Sequence, residues 1–146
     1  MANAPASSEY VAIIQAERSV LENMSIKRRK YQHQSQLMRE RIDKMRNPPA
    51  EIEEAYDRYF KATTQVLVQM NYLDIITRSR LCILRRMNPM LLPEGHPVYD
   101  MQRSRLRELR EQKWETLPRL AQALKEMQNE AVNVESLLID EDEVED

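Results

Sequence analysis

The side chains able to do chemistry are few. His33 and His96 are the only histidines and Cys82 the only cysteine in a chain of 146 residues. Protein metal sites draw on His, Cys and carboxylates at close, regular spacing. No cysteine joins either histidine at such a spacing, and the Glu-x-x-His pairs of di-iron helical bundles are missing. A Cys–His nucleophile needs its base within hydrogen-bond reach. Cys82 lies in an apolar stretch, where a small buried thiol is the ordinary reading. No metal, cofactor or catalytic residue is expected, and the chain reads as a non-enzyme.

The other candidates are basic clusters. Lys27, Arg28, Arg29 and Lys30 run together; Arg78, Arg80, Arg85 and Arg86 form a second cluster, and Arg103, Arg105, Arg107 and Arg110 a third. Like charges without an internal partner imply an external acidic one, whether nucleic acid, an acidic protein or an anionic membrane. The candidate patch is Lys27, Arg28, Arg29, Lys30, Arg78, Arg80, Arg103 and Arg107. The competing reading is a solvated face, partly neutralised by Glu17, Glu108 and Glu111. Residues 27–30 also fit the loose pattern of a nuclear import patch. The net charge of −2 settles nothing, because acids gather elsewhere, over 51–57 and 140–146.

These residues are carried by helices. One glycine in 146 residues disfavours hairpins and phosphate-cradling loops, while abundant Leu, Met, Glu, Gln, Arg and Lys favour helix. The length is that of one domain. The organising stretch is 50–87, which follows Pro48-Pro49, ends before Asn88-Pro89 and has no internal Pro or Gly. In it Ile52, Tyr56, Tyr59, Thr63, Val66, Met70 and Leu73 recur in steps of four and three. Further faces carry Phe60, Leu67, Ile76 and Ile83, and Val68, Tyr72, Ile75 and Cys82. Several apolar faces predict cover on several sides. Trp114 and the tyrosines read as packing residues.

Ahead of it, residues 9–46 repeat the pattern from Tyr10 to Met45, with Glu17, Arg28 and Ser35 as polar seam positions and Ser7 or Ser8 as cap. A turn at Asn47-Pro48-Pro49 folds the two helices into an antiparallel hairpin. Arg39, Arg41 and Lys44 should then meet Glu53, Glu54 and Asp57, and Glu9 and Glu17 should meet Arg78, Arg80 and Arg86. The stretch 88–97 is a loop whose Met90, Leu91 and Leu92 pack back on the bundle. A third helix spans 98–138, kinked or broken near Pro118, and lays Arg103–Arg110 of the third cluster beside Arg78–Arg86 of the second.

The expected fold is all-α: an elongated up-down-up three-helix bundle, or an antiparallel coiled-coil hairpin plus a third, Pro-interrupted helix. Residues 1–8 read as a flexible terminus and 139–146 as a disordered acidic tail. The opening residues lack the apolar core of a secretory signal, no stretch is long and apolar enough to span a bilayer, and a lone cysteine suits a reducing compartment. The function read from this is an intracellular scaffold or assembly subunit that binds other helical subunits, hetero-oligomeric in preference to homo-oligomeric. Its partner seam is expected at Val66, Met70, Leu73, Leu117, Leu120, Leu124 and Met127. The alternative is a small nucleic-acid-associated protein using its Arg-rich end.

Overall fold

The structure, a computed structural model, describes residues 6–87 and 95–145, with side chains over 9–87 and 95–141. Three helices account for nearly all of them: α1 (Ala6–Asp43), α2 (Ala50–Arg86) and α3 (Pro97–Glu145). No strand occurs among the described residues. The class is all-α, as composition and periodicity require.

The helix ends differ from the expected ones in instructive ways. α1 begins at Ala6, so Ser7 and Ser8 stand inside its first turn. It stops at Asp43, but the Lys44 and Met45 amides still donate to the Glu40 and Ile42 carbonyls at 3.1 and 3.0 Å. The helix thus tightens into a turn before the prolines. The Pro49 carbonyl accepts from the Ile52 and Glu53 amides at 3.0 and 3.3 Å, placing Pro49 just ahead of α2, where a missing N–H costs nothing. At the start of α3, Gly95 takes φ of 91°, a left-handed conformation open to glycine. The His96 Nδ1 then accepts from the Val98 amide at 3.1 Å, and Pro97 is the first helical residue. The apolar residues Met90, Leu91 and Leu92 lie outside the described residues.

α3 runs unbroken through Pro118. Thr116 does not cap a new helix there: it is buried, and its hydroxyl donates to the Gln112 carbonyl at 2.8 Å. α3 also continues past Leu138 to Glu145, through acidic residues expected to be disordered. Once nucleated, a helix gains one hydrogen bond per residue added, and glutamate is a good helix former.

The chain divides into two compact units, each built from one segment of every helix. The unit of Lys27–Met70 and Pro118–Asp146 is centred on Ile42, Ile52, Val66 and Val134, none more than 1% exposed. Met38, Tyr56, Tyr59, Met70, Met127 and Leu138 close around them. The direction of the helices is fixed by pairs across them. Arg39 reaches Glu53 at 2.8 Å, and the Ser35 and Tyr56 hydroxyls bond at 3.3 Å, so α1 and α2 are antiparallel. Arg58 pairs with Glu130 at 3.4 Å and Arg41 with Glu135 at 2.9 Å, so α3 returns antiparallel to α2 and parallel to α1. Arg39–Glu53 is the pairing expected from the hairpin, and Arg41 reaches α3.

The unit of Met1–Ile26 and Asn71–Leu117 packs Ile76, Ile83, Met87 and Leu109 together, with Tyr99 and Leu106 against them. Glu17, a polar seam position of α1, is buried and forms an ion pair with Arg80 at 3.3 Å. Asp74 is buried too and pairs with Arg78 one turn on.

Two outcomes follow for stability. Ile42 and Ile52 are sealed from water, so Ile42→Ala or Ile52→Ala should remove about 2–5 kcal/mol. Val132→Ala, at a position 66% exposed, should change stability by less than ~0.5 kcal/mol. Urea midpoints at unchanged slope measure both. The Arg39 hydrogen bonds hold the Glu53 carboxyl below its usual range. Folding therefore favours the ionised form; that contribution is complete above the ordinary carboxylate range and is lost as pH falls through the lowered Glu53 value. Glu53→Gln should cost at most ~1 kcal/mol at neutral pH, since the pair is partly solvated, and converge with the native protein in acid. A urea midpoint series from neutral to acid pH reads the convergence.

Candidate functional site

The seam expected to meet a partner is largely turned inward. Val66, Met70 and Met127 belong to the core of their own unit, and Leu73 is 6% exposed. Leu120 and Leu124 pack against that same core, and Leu117 is half-buried. These side chains hold the chain's own helices together and offer a partner little surface.

The apolar face left open is a different one. On the α2 segment 71–86, Tyr72 is 53% and Ile75 54% exposed, and Cys82 is exposed as well. Cys82 is therefore not the buried thiol its apolar neighbours suggested. Tyr72, Ile75, Ser79, Cys82 and Arg86 recur in steps of three and four, so they form one stripe along the outside of the helix. Arg78 and Arg85 stand three residues beyond Ile75 and Cys82 and border the stripe on one side. Ile76 and Ile83, on its other side, are buried in the unit's core. The cause is geometric: α2 has more apolar faces than it has neighbouring helices. Trp114 is likewise 59% exposed and is not a packing residue. In the other unit Phe60 and Val68 are exposed.

The basic candidates separate into different environments. Arg80, Arg103, Leu106, Arg107 and Arg110 line an open groove of about 350 Å³ between α2 and α3. The juxtaposition expected from an antiparallel third helix is therefore present. Arg103, Leu106, Arg107 and Arg110 share one face of α3 by their spacing of three, one and three. The guanidinium carbon of Arg103 also lies 5.9 Å from the centre of the Tyr99 ring. Arg80 forms an ion pair with Glu17, while its Nε is buried and meets no acceptor. Arg105 points to a different face and pairs with Glu108 at 2.9 Å.

Arg78 is not among the groove's lining residues; it pairs with Asp74. Lys27, Arg29 and Lys30 are exposed and Arg28 is half-buried. Four consecutive helical positions point in four directions, so residues 27–30 do not make one patch. The role of Leu106 as an apolar member of the groove was missed, although its place in the same spacing was readable.

Among the described residues no group of three or more His, Cys, Asp or Glu side chains is placed to hold a metal ion. No described helix is long and apolar enough to cross a membrane. No protein-family model, curated protein or solved structure matches this chain.

Proposed function

We propose that the chain is a non-enzymatic helical subunit of an intracellular multiprotein complex, a scaffold or assembly factor that works through helix–helix contacts. The observation that carries this reading is the stripe Tyr72–Ile75–Ser79–Cys82–Arg86. A stripe with alternating three and four spacing has the register of a coiled-coil seam, and a partner helix laid on it would cover the exposed Tyr72, Ile75 and Cys82. Single exposed apolar residues are normal on any surface; here three of them, Tyr72, Ile75 and Cys82, share one register. Charge selects the kind of partner. Arg78 and Arg85 take the flanking positions that decide pairing in coiled coils. A second copy laid antiparallel on the same stripe would bring these arginines toward each other, with Asp74 offsetting the charge of Arg78 alone. A different chain carrying Asp or Glu at its flanking positions is favoured, which supports a hetero-oligomer over a homo-oligomer.

A nucleic-acid role would rest on the arginine groove. Glu108 stands between Arg107 and Arg110, and Asp100 and Glu111 flank the run, which works against the long uninterrupted basic track that a strand of phosphates follows.

The test is the double variant Tyr72→Glu/Ile75→Glu. Both positions are more than half exposed, so helicity and the urea midpoint should stay unchanged. The assembly recovered with the full chain should lose its partner subunits, with affinity for a purified partner falling at least tenfold. A nitroxide on the natural Cys82 should become immobilised in the assembled state. Retention of every partner by the double variant, or a freely tumbling label in the assembly, would refute the outer stripe as the docking seam.

A further inference from the structure

The groove lined by Arg80, Arg103, Arg107 and Arg110 carries an inference of its own. Arg103, Arg107 and Arg110 repel one another at spacings of four, three and seven along one helical face. Glu108, one residue from Arg107, is drawn away to Arg105 at 2.9 Å. Among the described residues no ion pair forms to Arg107 or Arg110. Glu17 forms an ion pair with Arg80 at 3.3 Å. Among the described residues it is the only carboxylate ion-paired with any of the four guanidinium groups that line the groove. The Nε–H of Arg80 adds a buried donor without an acceptor, a costly arrangement unless a ligand uses it.

We propose that this groove binds the phosphoryl group of a phosphorylated ligand. A phosphate monoester carries close to two negative charges and three strong acceptor oxygens on one tetrahedral centre. It can take forked hydrogen bonds from several guanidinium groups at once, which a single carboxylate with its one charge and two oxygens cannot match. Leu106 gives the groove an apolar member against which the fragment bearing the phosphoryl group can rest. The groove, about 350 Å³, falls at the small end of ligand pockets, the scale of one phosphoryl group with the fragment that bears it. The same chemistry is offered by a phosphorylated side chain of a partner polypeptide and by a small free phosphate ester or pyrophosphate. The groove uses none of the residues of the α2 outer stripe, so the proposal stands or falls apart from the docking role above.

Titration calorimetry on the full chain at low ionic strength tests it with three probes: inorganic pyrophosphate, a short phosphoserine peptide, and the unphosphorylated twin of that peptide. At least one phosphoryl probe should bind and the unphosphorylated twin should not. Arg107→Gln/Arg110→Gln should weaken binding at least tenfold. Both positions are exposed, so circular dichroism should show the fold intact. Arg58→Gln/Lys61→Gln, in the other unit, should bind like the native chain. Binding of pyrophosphate alone assigns the site to small phosphates, and tighter binding of the phosphopeptide assigns it to a modified partner chain. The proposal is overturned if neither phosphoryl probe binds at millimolar concentration, or if the Arg107/Arg110 variant binds as well as the native chain. It is also overturned if an oligonucleotide binds through these arginines while both phosphoryl probes fail, since that is a strand-tracking surface and not a pocket.

Discussion

Removing the inner side of α2 from water is the interaction on which the other features depend. Ile52, Tyr59, Val66 and Met70 are at most 2% exposed, and they lie on one stripe of one helix. Each such side chain contributes roughly 1.5–3 kcal/mol when taken from water to a packed core. A partly solvated ion pair such as Arg39–Glu53 contributes at most about 1 kcal/mol. The stripe thus drives association of the helices, and the ion pairs select which positions face one another. No single neighbour can cover such a stripe and its flanks, which is why α1 and α3 both pack on α2 in the unit of Lys27–Met70 and Pro118–Asp146.

Polar residues placed inside the seams then restrict how the helices slide. Glu17 and Ser35 interrupt the apolar stripe of α1, and each finds a partner on α2, Arg80 in one unit and Tyr56 in the other. Moving the register by one turn would leave a buried carboxylate and a buried hydroxyl unmatched, at about 1–3 kcal/mol for the hydroxyl and more for the charge. Thr63 and Thr77 are handled differently, since their hydroxyls donate to the carbonyls of Tyr59 and Leu73 in the preceding turn. Those two residues are neutral toward register, whereas Glu17 and Ser35 discriminate.

What was legible in the sequence, and what was not, divides along a physical line. Periodicity shows which residues share a face, so the three helices, the turn at Pro48-Pro49 and the meeting of Arg80 with Arg103 and Arg107 could all be read. It does not say which apolar face acquires a neighbour. Val66, Met70 and Met127 looked like a docking seam and are core; Tyr72, Ile75 and Cys82 looked like core and are surface. Both stripes have the same kind of spacing, and only the number of neighbours available to α2 distinguishes them. Helix ends were read less well, because the residues that stop a helix do not fix the turn at which hydrogen bonding ceases. Asp43 and Ala6 each fall three residues from the expected boundary. At Pro118 two outcomes were compatible with the sequence, and the inward hydrogen bond of Thr116 accompanies the continuous helix.

The central claim is that α2's inner stripe is closed within one chain, leaving its outer stripe to others. Pulsed electron spin resonance between nitroxides at positions 30 and 64, in a Cys82→Ser background diluted with unlabelled protein, addresses it most directly. Adjacent helix axes lie roughly 8–10 Å apart. An antiparallel hairpin therefore predicts a short distance that dilution leaves unchanged. If the hairpin opens and the helices run on in line, the intervening residues at ~1.5 Å each would separate the labels by about 50 Å. A distribution centred there, or a short distance that dilution abolishes, would contradict the claim that each chain buries its own seam.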